Sequence, residues 1–262
     1  MTEIKGGARR HSKRERHQQI LDELQFRPAV RASDLARRLG VHVETIRRDL
    51  DELHEVGKIS RTYGGALPGS VAKEATLAER DGFLVAERSR IAELAASMIS
   101  GGDVVMVDVG STTTRFARKL AAAGTAVRLI TNSCTLVAAV GSHPQFKVTL
   151  CPGDYSASQD GVAGPETIQF LRSFYADKVV LSVGGVTEDG LFEYDPEFAW
   201  IKRTMIGCSR VRILMVDQSK LNKKAMARIC GFSEIDHLIV DAAIGKPLLH
   251  SIEEAGTQVH VA

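Results

Sequence analysis

Apolar positions in the first sixty residues recur at spacings of three and four, which predicts three short helices. The first covers Arg14–Gln25, and Pro28 disfavours its continuation. The second follows Ser33, a residue suited to an N-cap, and stops at Gly40, a residue suited to a left-handed helix end. The third covers about Val43–Val56. Because a tight turn joins the last two helices, the spacing predicts a helix-turn-helix.

The outward face of the third predicted helix carries candidate contacts to DNA. Polar residues in its first turns lie where a recognition helix presents side chains to the major groove. They are Glu44, Thr45, Arg47 and Arg48. An alternative is local ion pairing at a spacing of four residues, in which Arg48 meets Glu44 or Glu52 and Arg47 meets Asp51. Such pairs contribute only about 0.2–0.5 kcal/mol each, so they are compatible with DNA binding.

A second candidate contact region follows the third helix. Lys58–Ala66 is short and β-prone and contains two consecutive glycines, which predicts a wing. Its polar side chains are placed to reach phosphates or the minor groove. These residues are Arg61, Thr62 and Tyr63. Ser33 and His42 are added as candidate DNA contacts. His42 is either a phosphate contact or an exposed residue without a role, and as a weak cap it predicts a loosely held helix entry.

The remaining two hundred residues predict an α/β domain. Residues 67–85 have no sustained period and include Pro68 and Gly69, which indicates a linker. After a helix over about Glu87–Ile99, short β-branched runs alternate with helical segments. The candidate strands are Val104–Val107, Val127–Ile130, Lys147–Leu150, Lys178–Val183, Val211–Val216 and His237–Val240. Such alternation predicts a mostly parallel sheet covered by helices on both faces.

The loop after the first predicted strand carries candidate binding residues, because ligands of parallel sheets bind at the carboxyl ends of the strands. This loop contains an acid, a glycine and a run of hydroxyl residues. They are Asp108, Gly110, Ser111, Thr112 and Thr113. A helix that begins here offers free backbone N–H groups and a positive dipole end to an anion. In the alternative interpretation, Ser111 or Thr112 only caps that helix.

Other predicted strand ends add polar residues to the same edge. Asn132 follows Val127–Ile130, and Asp217 and Lys220 follow Val211–Val216. Lys220 is suited to neutralising a phosphate, and Asp108, Asn132 and Asp217 are suited to binding sugar hydroxyls. Each residue type is equally suited to a turn or a helix cap. No pairing of a nucleophile with a base is recognisable, which favours binding over catalysis.

Charge is distributed unevenly along the chain. Residues 1–63 contain 14 Lys and Arg and 10 Asp and Glu, so the N-terminal part of the chain is basic. For residues 1–13 this charge predicts either a flexible basic arm near a polyanion or a solvated tail. The four cysteines are far apart and the eight histidines are scattered, which predicts reduced thiols and neither a metal nor another cofactor. Without an apolar leader or an apolar run of about 18 residues, we expect a cytoplasmic protein.

Several segments resemble the DeoR family of repressors. Thr45-Ile46-Arg47-Arg48-Asp49-Leu50, with Leu53, Gly57, Arg61 and Gly64-Gly65-Ala66, is similar to the DNA-binding signature of that family. The segments that match its sensor domain are Asp108–Thr113, Thr131–Ser133, Gly164-Pro165, Gly184-Gly185 and Asp217–Lys220. Two positions depart from the family. Arg88 stands where lysine is common, and Pro152–Ser156 replaces a segment that usually has two glycines and a nearby arginine.

The resemblance implies a transcription repressor rather than an enzyme. A winged helix-turn-helix over 14–66 would bind operator DNA, and a sensor domain over 86–262, similar in fold to ribose-phosphate isomerases and CoA transferases, would bind a small phosphorylated metabolite. The metabolite would release a homo-oligomer, a dimer or tetramer, from the operator of a carbohydrate or related catabolic operon. The implied effector site consists of Arg88, Asp108, Gly110, Ser111, Thr112, Thr113, Asn132, Gly153, Gly184, Asp217 and Lys220. A sugar-phosphate isomerase or transferase with a DNA-binding appendage, and a metal-dependent regulator, are the alternatives.

Overall fold

A computed structural model describes residues 12–26, 30–55, 59–62, 64–68, 77–82 and 84–262. The chain divides into two compact units, residues 1–70 and 71–262, which we call the N-terminal and C-terminal domains. Most of the predicted basic arm lies outside the described residues, and so do residues 69–76 of the predicted linker.

The described part of the N-terminal domain contains helices and a small antiparallel sheet. The helices are α1 (Lys13–Phe26), α2 (Ala32–Leu39) and α3 (Val43–Glu55). The strands are β1 (Val30–Arg31), β2 (Ile59–Thr62) and β3 (Gly65–Pro68), in the order β1-β3-β2. Ile20, Ile46 and Leu50 are fully buried in one core. Burying one such side chain contributes about 1.5–3 kcal/mol, so the apolar spacing itself assembles this domain.

The helix boundaries agree with the sequence prediction to within a few residues, but one predicted cap is wrong. Gly40 ends α2 in the left-handed conformation with φ of 63°, as expected. Ser33 does not cap α2, because the helix begins at Ala32 and its N-cap is Arg31, which makes no side-chain cap bond. Val30 and Arg31 pair with β3 as strand β1, so sheet pairing fixes the entry to α2.

The C-terminal domain is built on a seven-stranded sheet. Its described helices are α4 (Leu77–Asp81), α5 (Val85–Ser97), α6 (Ser111–Ala122), α7 (Cys134–Val140), α8 (Pro165–Leu171), α9 (Pro196–Gly207) and α10 (Lys246–Glu254). The sheet strands are β4 (Val104–Val107), β5 (Val127–Thr131), β6 (Phe146–Leu150), β9 (Ala176–Leu181), β12 (Ser209–Val216), β14 (His237–Val240) and β15 (Gln258–Val261). They lie in the order β15-β14-β12-β9-β4-β5-β6, and every neighbouring pair is parallel.

Helices cover both faces of this sheet, as the sequence predicts. Successive strand residues point to opposite faces, so Met106 joins one buried cluster while Val105 and Val107 join the other. The first cluster includes side chains of α8, α9 and α10, and the second includes side chains of α5, α6 and α7. The result is a three-layer α/β domain with a core on each side of the sheet.

The strand order reverses beside β4. The chain runs outward from β4 through β5 to β6 and then returns to β9 on the other side of β4. In open parallel sheets such a reversal leaves a crevice at the carboxyl ends of the two central strands, where ligands bind. The topology therefore predicts a ligand site at the carboxyl ends of β4 and β9.

Smaller elements were not predicted from the sequence. Strands β7 (Asp154–Ser156) and β8 (Gly161–Ala163) form one hairpin, and β10 (Gly185–Thr187), β11 (Gly190–Glu193) and β13 (Ala227–Arg228) form a second small sheet. The predicted linker contains α4, which buries Leu77 to 6% exposure. These elements, like the edge strand β15, are too short to show a hydrophobic period.

Candidate functional site

The outward face of α3 presents a set of exposed polar side chains. His42 precedes the helix, and Glu44, Arg47 and Arg48 lie in its first two turns; all four are exposed, and Thr45 is half-buried. Ile46 and Leu50 point into the core at 0% exposure. The face that the sequence analysis assigned to DNA is therefore free of packing within this domain.

His42 caps the start of α3 with its ring. Its ring Nδ1 accepts a hydrogen bond from the backbone N–H of Glu44 at 3.3 Å. Its carbonyl accepts bonds from the N–H groups of Thr45 and Ile46 at 2.9 and 3.3 Å. The imidazole thus makes the bond that a Ser or Asp cap usually makes, and the loosely held entry stays a prediction.

The two arginines of α3 differ in their partners. Arg47 pairs with Glu44 across 3.0 Å, at a spacing of three residues. Arg48 forms no ion pair or hydrogen bond with the described residues, so its predicted alternative partners Glu44 and Glu52 do not hold it. Since exposed pairs contribute little, both guanidinium groups are available to an incoming phosphate or base.

A buried acid that sequence reasoning missed ties α3 to α1. Asp49 is 2% exposed, and its carboxylate accepts two bonds from Arg16, at 2.7 and 3.0 Å. His17 lies 3.2 Å from the same carboxylate. The hydrogen bond to Asp49 raises the pKa of Arg16. The missed signal is positional, because residue 49 shares a helical face with Ile46, Leu50 and Leu53.

The predicted wing is an antiparallel hairpin. In β2, Arg61 pairs with Ala66 of β3, and Thr62 pairs with Gly65. The side chains of Arg61 and Thr62, and all of Tyr63, lie outside the described residues. Their assignment to DNA stays a prediction, on a backbone that has the expected hairpin form.

In the C-terminal domain a small cleft opens at the strand-order reversal. Val109 reaches it from the loop after β4, and Ser182 and Val183 reach it from the loop after β9. The other lining residues are Arg80, Gln159, Glu193, Asp195, Phe198 and Lys202. Most of them come from segments where the sequence analysis placed no ligand contact.

Lys202 is the central buried charge in the wall of this cleft. It lies on α9 at 2% exposure and donates to the Asp108 carboxylate, and it lies 3.4 Å from Glu193. Burial raises the pKa of Asp108 above its ordinary value, against the opposing effect of the Lys202 charge. The backbone N–H of Ser182 donates to the other Asp108 oxygen at 3.1 Å. Asp108 therefore fixes Lys202 and the β9 loop and does not project into the cleft.

A second buried pair lies beside the first turn of α6. Arg88 donates to Asp217 at 2.9 Å and to the Ser111 hydroxyl at 2.9 Å. Burial raises the pKa of Asp217, but the charges of Arg88 and Lys220 and the hydrogen bonds of Ser219 and Arg88 outweigh it, so the pKa is lowered overall. The Asp217 carboxylate is thus already occupied by groups of the chain.

The loop after β4 is organised by its own backbone. Gly110 is the N-cap of α6, so neither Ser111 nor Thr112 caps the helix. The carbonyl of Gly110 accepts bonds from the hydroxyls of Thr113 and Thr114 at 2.9 and 2.8 Å. The start of α6 adjoins the cleft, because a Cβ on Gly110 would come within 2.7 Å of the Ser182 hydroxyl.

The remaining predicted effector residues support the site rather than line it. Asn132 is fully buried; it accepts from the Val109 N–H at 3.0 Å and donates to the Val162 carbonyl at 3.1 Å. Gly153 has φ of +146°, and a Cβ there would meet Thr167 Oγ1 at 2.2 Å, so the position requires glycine for packing.

Two predicted residues lie beside Tyr194, which stands between the cleft residues Glu193 and Asp195 in the chain. A Cβ on Gly184 would lie 2.7 Å from the ring of Tyr194 and 3.0 Å from Glu193. Lys220 lies over the same ring, 5.8 Å from its centroid. Neither residue is among those that line the cleft.

The missed cleft residues have one recognisable signal among them. Lys202 shares a face of α9 with Phe198, Ile201 and Met205, so a charge occupies an apolar helical position. Arg80 and Gln159 show no such signal in the sequence, because each belongs to a short element whose position depends on tertiary contacts.

The described residues contain no group of three or more His, Cys, Asp and Glu side chains placed to hold a metal ion. None of their helices is both long and apolar enough to cross a membrane.

The N-terminal domain is a winged helix-turn-helix, and the C-terminal domain is a parallel α/β domain with a cleft at its strand-order reversal. Together they define a two-domain DNA-binding regulator. Two family models match this chain: a DeoR-like helix-turn-helix domain at residues 16–69 and a DeoR C-terminal sensor domain at residues 84–242. The chain belongs to the DeoR family of transcriptional regulators.

Curated relatives are named as repressors. The HTH-type transcriptional repressor CsqR of Escherichia coli is 31% identical over 227 residues, covering 86% of this chain and 87% of that protein. The glycerol-3-phosphate regulon repressor of Escherichia coli is 30% identical and covers 87% and 90%. The repressor GlcR of Bacillus subtilis is 30% identical and covers 92% and 93%. The resemblance found in the sequence is thus confirmed across both domains.

The solved structures to which the chain is similar are more distant. Ribose 5-phosphate isomerase A of Methanocaldococcus jannaschii is 17% identical, covers 51% of this chain and 53% of that chain, and has a TM-score of 0.38. The delta subunit of eIF2B from Chaetomium thermophilum is 14% identical, covers 85% and 77%, and has a TM-score of 0.47.

Proposed function

We propose that the chain is a ligand-controlled repressor whose C-terminal domain binds a small phosphorylated sugar or polyol in the cleft. The observation that carries the proposal is the mixed charge of the cleft wall, where Arg80 and Lys202 share one space with Glu193 and Asp195. A phosphate is bound by cations and N–H donors, whereas hydroxyls are bound by carboxylates. A sugar phosphate carries both kinds of group.

The surroundings of the cleft support an anionic ligand. The first turn of α6 adjoins the cleft, and a helix N-terminus favours an anion. One relative is named for a glycerol-3-phosphate regulon, which makes glycerol 3-phosphate a suitable first probe.

In this proposal the predicted effector residues divide into two groups. Arg88, Asp108, Asn132 and Asp217 are positioning residues, because their polar atoms bind other groups of the chain. Contact with the ligand is assigned to the cleft wall and to the first turn of α6. For the N-terminal domain, the proposal keeps the exposed face of α3 and the β2–β3 wing as the DNA contacts. A homo-oligomer then places two or more such faces on a symmetric operator.

The proposal is tested by the release of DNA from the full chain. Fluorescence anisotropy with DNA from upstream of its gene measures operator binding at constant ionic strength. Glycerol 3-phosphate and glucose 6-phosphate are compared with glycerol and glucose, and we expect only a phosphorylated compound to release the DNA. Arg80→Gln should weaken the response, whereas Arg210→Gln, which removes an exposed arginine that pairs with Asp177, should not. Equal effects of phosphorylated and unphosphorylated compounds would contradict the proposal.

An isomerase activity is the competing function, since buried Lys202 with two carboxylates is able to move protons. Ribose 5-phosphate incubated with the pure chain measures it directly. We expect no ketose to form, because the Lys202 amine already donates to the Asp108 carboxylate and is not free to act on a substrate. Turnover that disappears in Lys202→Met would favour the enzyme instead.

A further inference from the structure

We infer that helix α4 couples occupancy of the cleft to DNA binding: a ligand draws Arg80 away from Gln159 and loosens α4 from the C-terminal domain. This inference rests on the proposed function, because it states how occupancy of that same cleft reaches the N-terminal domain. It concerns a helix of five residues that the sequence analysis assigned to a linker.

Separate elements of the C-terminal domain hold α4 in place. The backbone N–H of Leu77 donates to the Ser158 carbonyl, in the turn between β7 and β8, at 3.0 Å. Arg115 of α6 donates to the Asp81 carboxylate at 3.0 Å and also to the Asp81 carbonyl. A helix of five residues is far too short to be stable alone. Its conformation therefore depends on these contacts.

Two of the residues that hold α4 are also in the wall of the cleft. Arg80 and Gln159 both line it, and the Arg80 guanidinium donates to the Gln159 amide oxygen at 2.5 Å. An anionic ligand is a stronger acceptor for a guanidinium than a neutral amide is. A phosphate in the cleft thus competes for Arg80 and weakens the link between α4 and the β7–β8 turn.

The buried pair beside α6 is connected to α4 as well. Arg88, which binds Asp217 and Ser111, also donates to the carbonyl of Arg80 at 2.8 Å. The α4 backbone is therefore bonded to the same side chain that braces the first turn of α6. A change at that turn and a change at Arg80 both act on α4.

The position of α4 along the chain makes it a suitable transmitter. It is the first described element after β3, and residues 69–76 alone separate them. The chain has two states in this inference, one with α4 docked on the C-terminal domain and one with α4 loosened from it. If the two states differ in their affinity for the operator, a ligand that favours the loosened state releases DNA by population shift. The docked state, held by Arg115, Arg88 and Gln159, is then the one that binds the operator.

Arg115→Gln in the full chain tests the inference, because Arg115 holds Asp81 but does not line the cleft. Arg118→Gln is the matched control: Arg118 lies on the same helix, is exposed, and bonds to nothing within the described residues. Calorimetry measures glycerol 3-phosphate and glucose 6-phosphate binding, anisotropy measures operator binding, and hydrogen exchange follows the amides of α4.

We expect a phosphorylated probe to speed exchange in α4 of the wild type. Arg115→Gln should bind the probe within about twofold of wild type, bind the operator about three- to tenfold more weakly without probe, and release little further with it. Arg118→Gln should match the wild type. Normal operator affinity and full release in Arg115→Gln would overturn the inference. If the wild type binds neither probe, the proposed function fails for them, and the ligand-free operator affinities of the two variants still decide the role of α4.

Discussion

The two domains place their functional charges in opposite ways. On α3 the arginines are exposed, and Arg48 has no partner among the described residues. In the C-terminal domain Lys202 and Asp108 are 2% and 1% exposed and bind each other. DNA is a large polyanion that approaches a surface, whereas a small metabolite must be enclosed. In the proposed function, the charges assigned to DNA therefore lie on the surface, and the charges that would shape a metabolite site are part of the core.

Despite this difference, both domains contain a buried ion pair of the same kind. Each has a buried charge at an apolar position of a helix, Asp49 on α3 and Lys202 on α9, and each charge is paired with a partner distant in sequence. In the N-terminal domain this pair orients the recognition helix. In the C-terminal domain it fixes the wall of the cleft. In both domains a buried ion pair therefore supports the arrangement of the other charges, whether these lie on the surface or in the core.

The largest expected effect is the loss of the buried cation of the C-terminal domain. Lys202→Met roughly keeps the volume of the side chain but removes the ammonium that pairs with Asp108 and Glu193. Removing one member of a buried pair costs about 3–5 kcal/mol. Urea unfolding followed through Trp200, the single tryptophan of the chain, measures the free energy of unfolding of this domain.

Lys224→Met is the control for that measurement. Lys224 and Asp189 form an exposed pair at 2.8 Å, and such pairs contribute about 0–1 kcal/mol. Equal unfolding midpoints for the two variants would show that the Lys202 cluster is not a stabilising part of the core.

The buried pair of the N-terminal domain should have a somewhat smaller effect. Asp49→Asn removes the charge that accepts both Arg16 bonds, and hydrogen bonds to charged groups contribute about 1.5–3 kcal/mol. Hydrogen exchange of the α1 and α3 amides in the full chain measures the change in local stability. Glu52→Gln, which affects the exposed pair with Lys13, should leave exchange nearly unchanged. Fast exchange in both variants, or in neither, would remove the special role of Asp49.

The exposed arginine should affect binding without affecting folding. Arg48→Ala is expected to weaken operator binding by about 1–3 kcal/mol if its contact is to a base. The free energy of unfolding should not change, because Arg48 binds nothing within the described residues. Anisotropy and urea unfolding of the same preparation measure both quantities. If Arg48→Ala lowered the free energy of unfolding but left operator affinity unchanged, Arg48 would act in the fold and not at the DNA, contrary to the difference between the two domains.

The sequence was sufficient for the parts of the molecule that follow a local pattern. The α3 face is amphipathic over 13 residues, and six sheet strands are β-branched runs, so both were predictable. The cleft wall was not, because Arg80, Gln159 and Glu193 come from short elements whose positions depend on tertiary contacts. Asn132 and Asp217 were correctly placed at the sheet edge, but their residue types do not reveal that other groups of the chain already occupy their polar atoms.

The smallest expected effect concerns a carboxyl group at the same sheet edge. Asp241 follows β14, accepts from the Gln218 N–H at 2.6 Å, and has its other oxygen buried without a hydrogen bond in the described structure. Burial, together with the negative charge of Asp217, raises the pKa of Asp241. A raised pKa means that the folded state holds the proton at a pH where the unfolded state has released it. Stability is therefore lost as the pH rises from the ordinary carboxyl value through the raised pKa.

Asp241→Asn should remove this loss while keeping an acceptor for Gln218. We expect the variant to be more stable than wild type at pH 7, by less than about 1 kcal/mol after solvent screening, with the gap closing below about pH 4. Asp189→Asn provides the opposite case, because Lys224 lowers the pKa of Asp189, so no gain at pH 7 is expected. Urea unfolding at pH 4 and pH 7 measures both variants. An Asp241→Asn variant that gains nothing at pH 7 would show that the buried carboxylate is tolerated without cost, and that the acids of this edge are balanced by its cations.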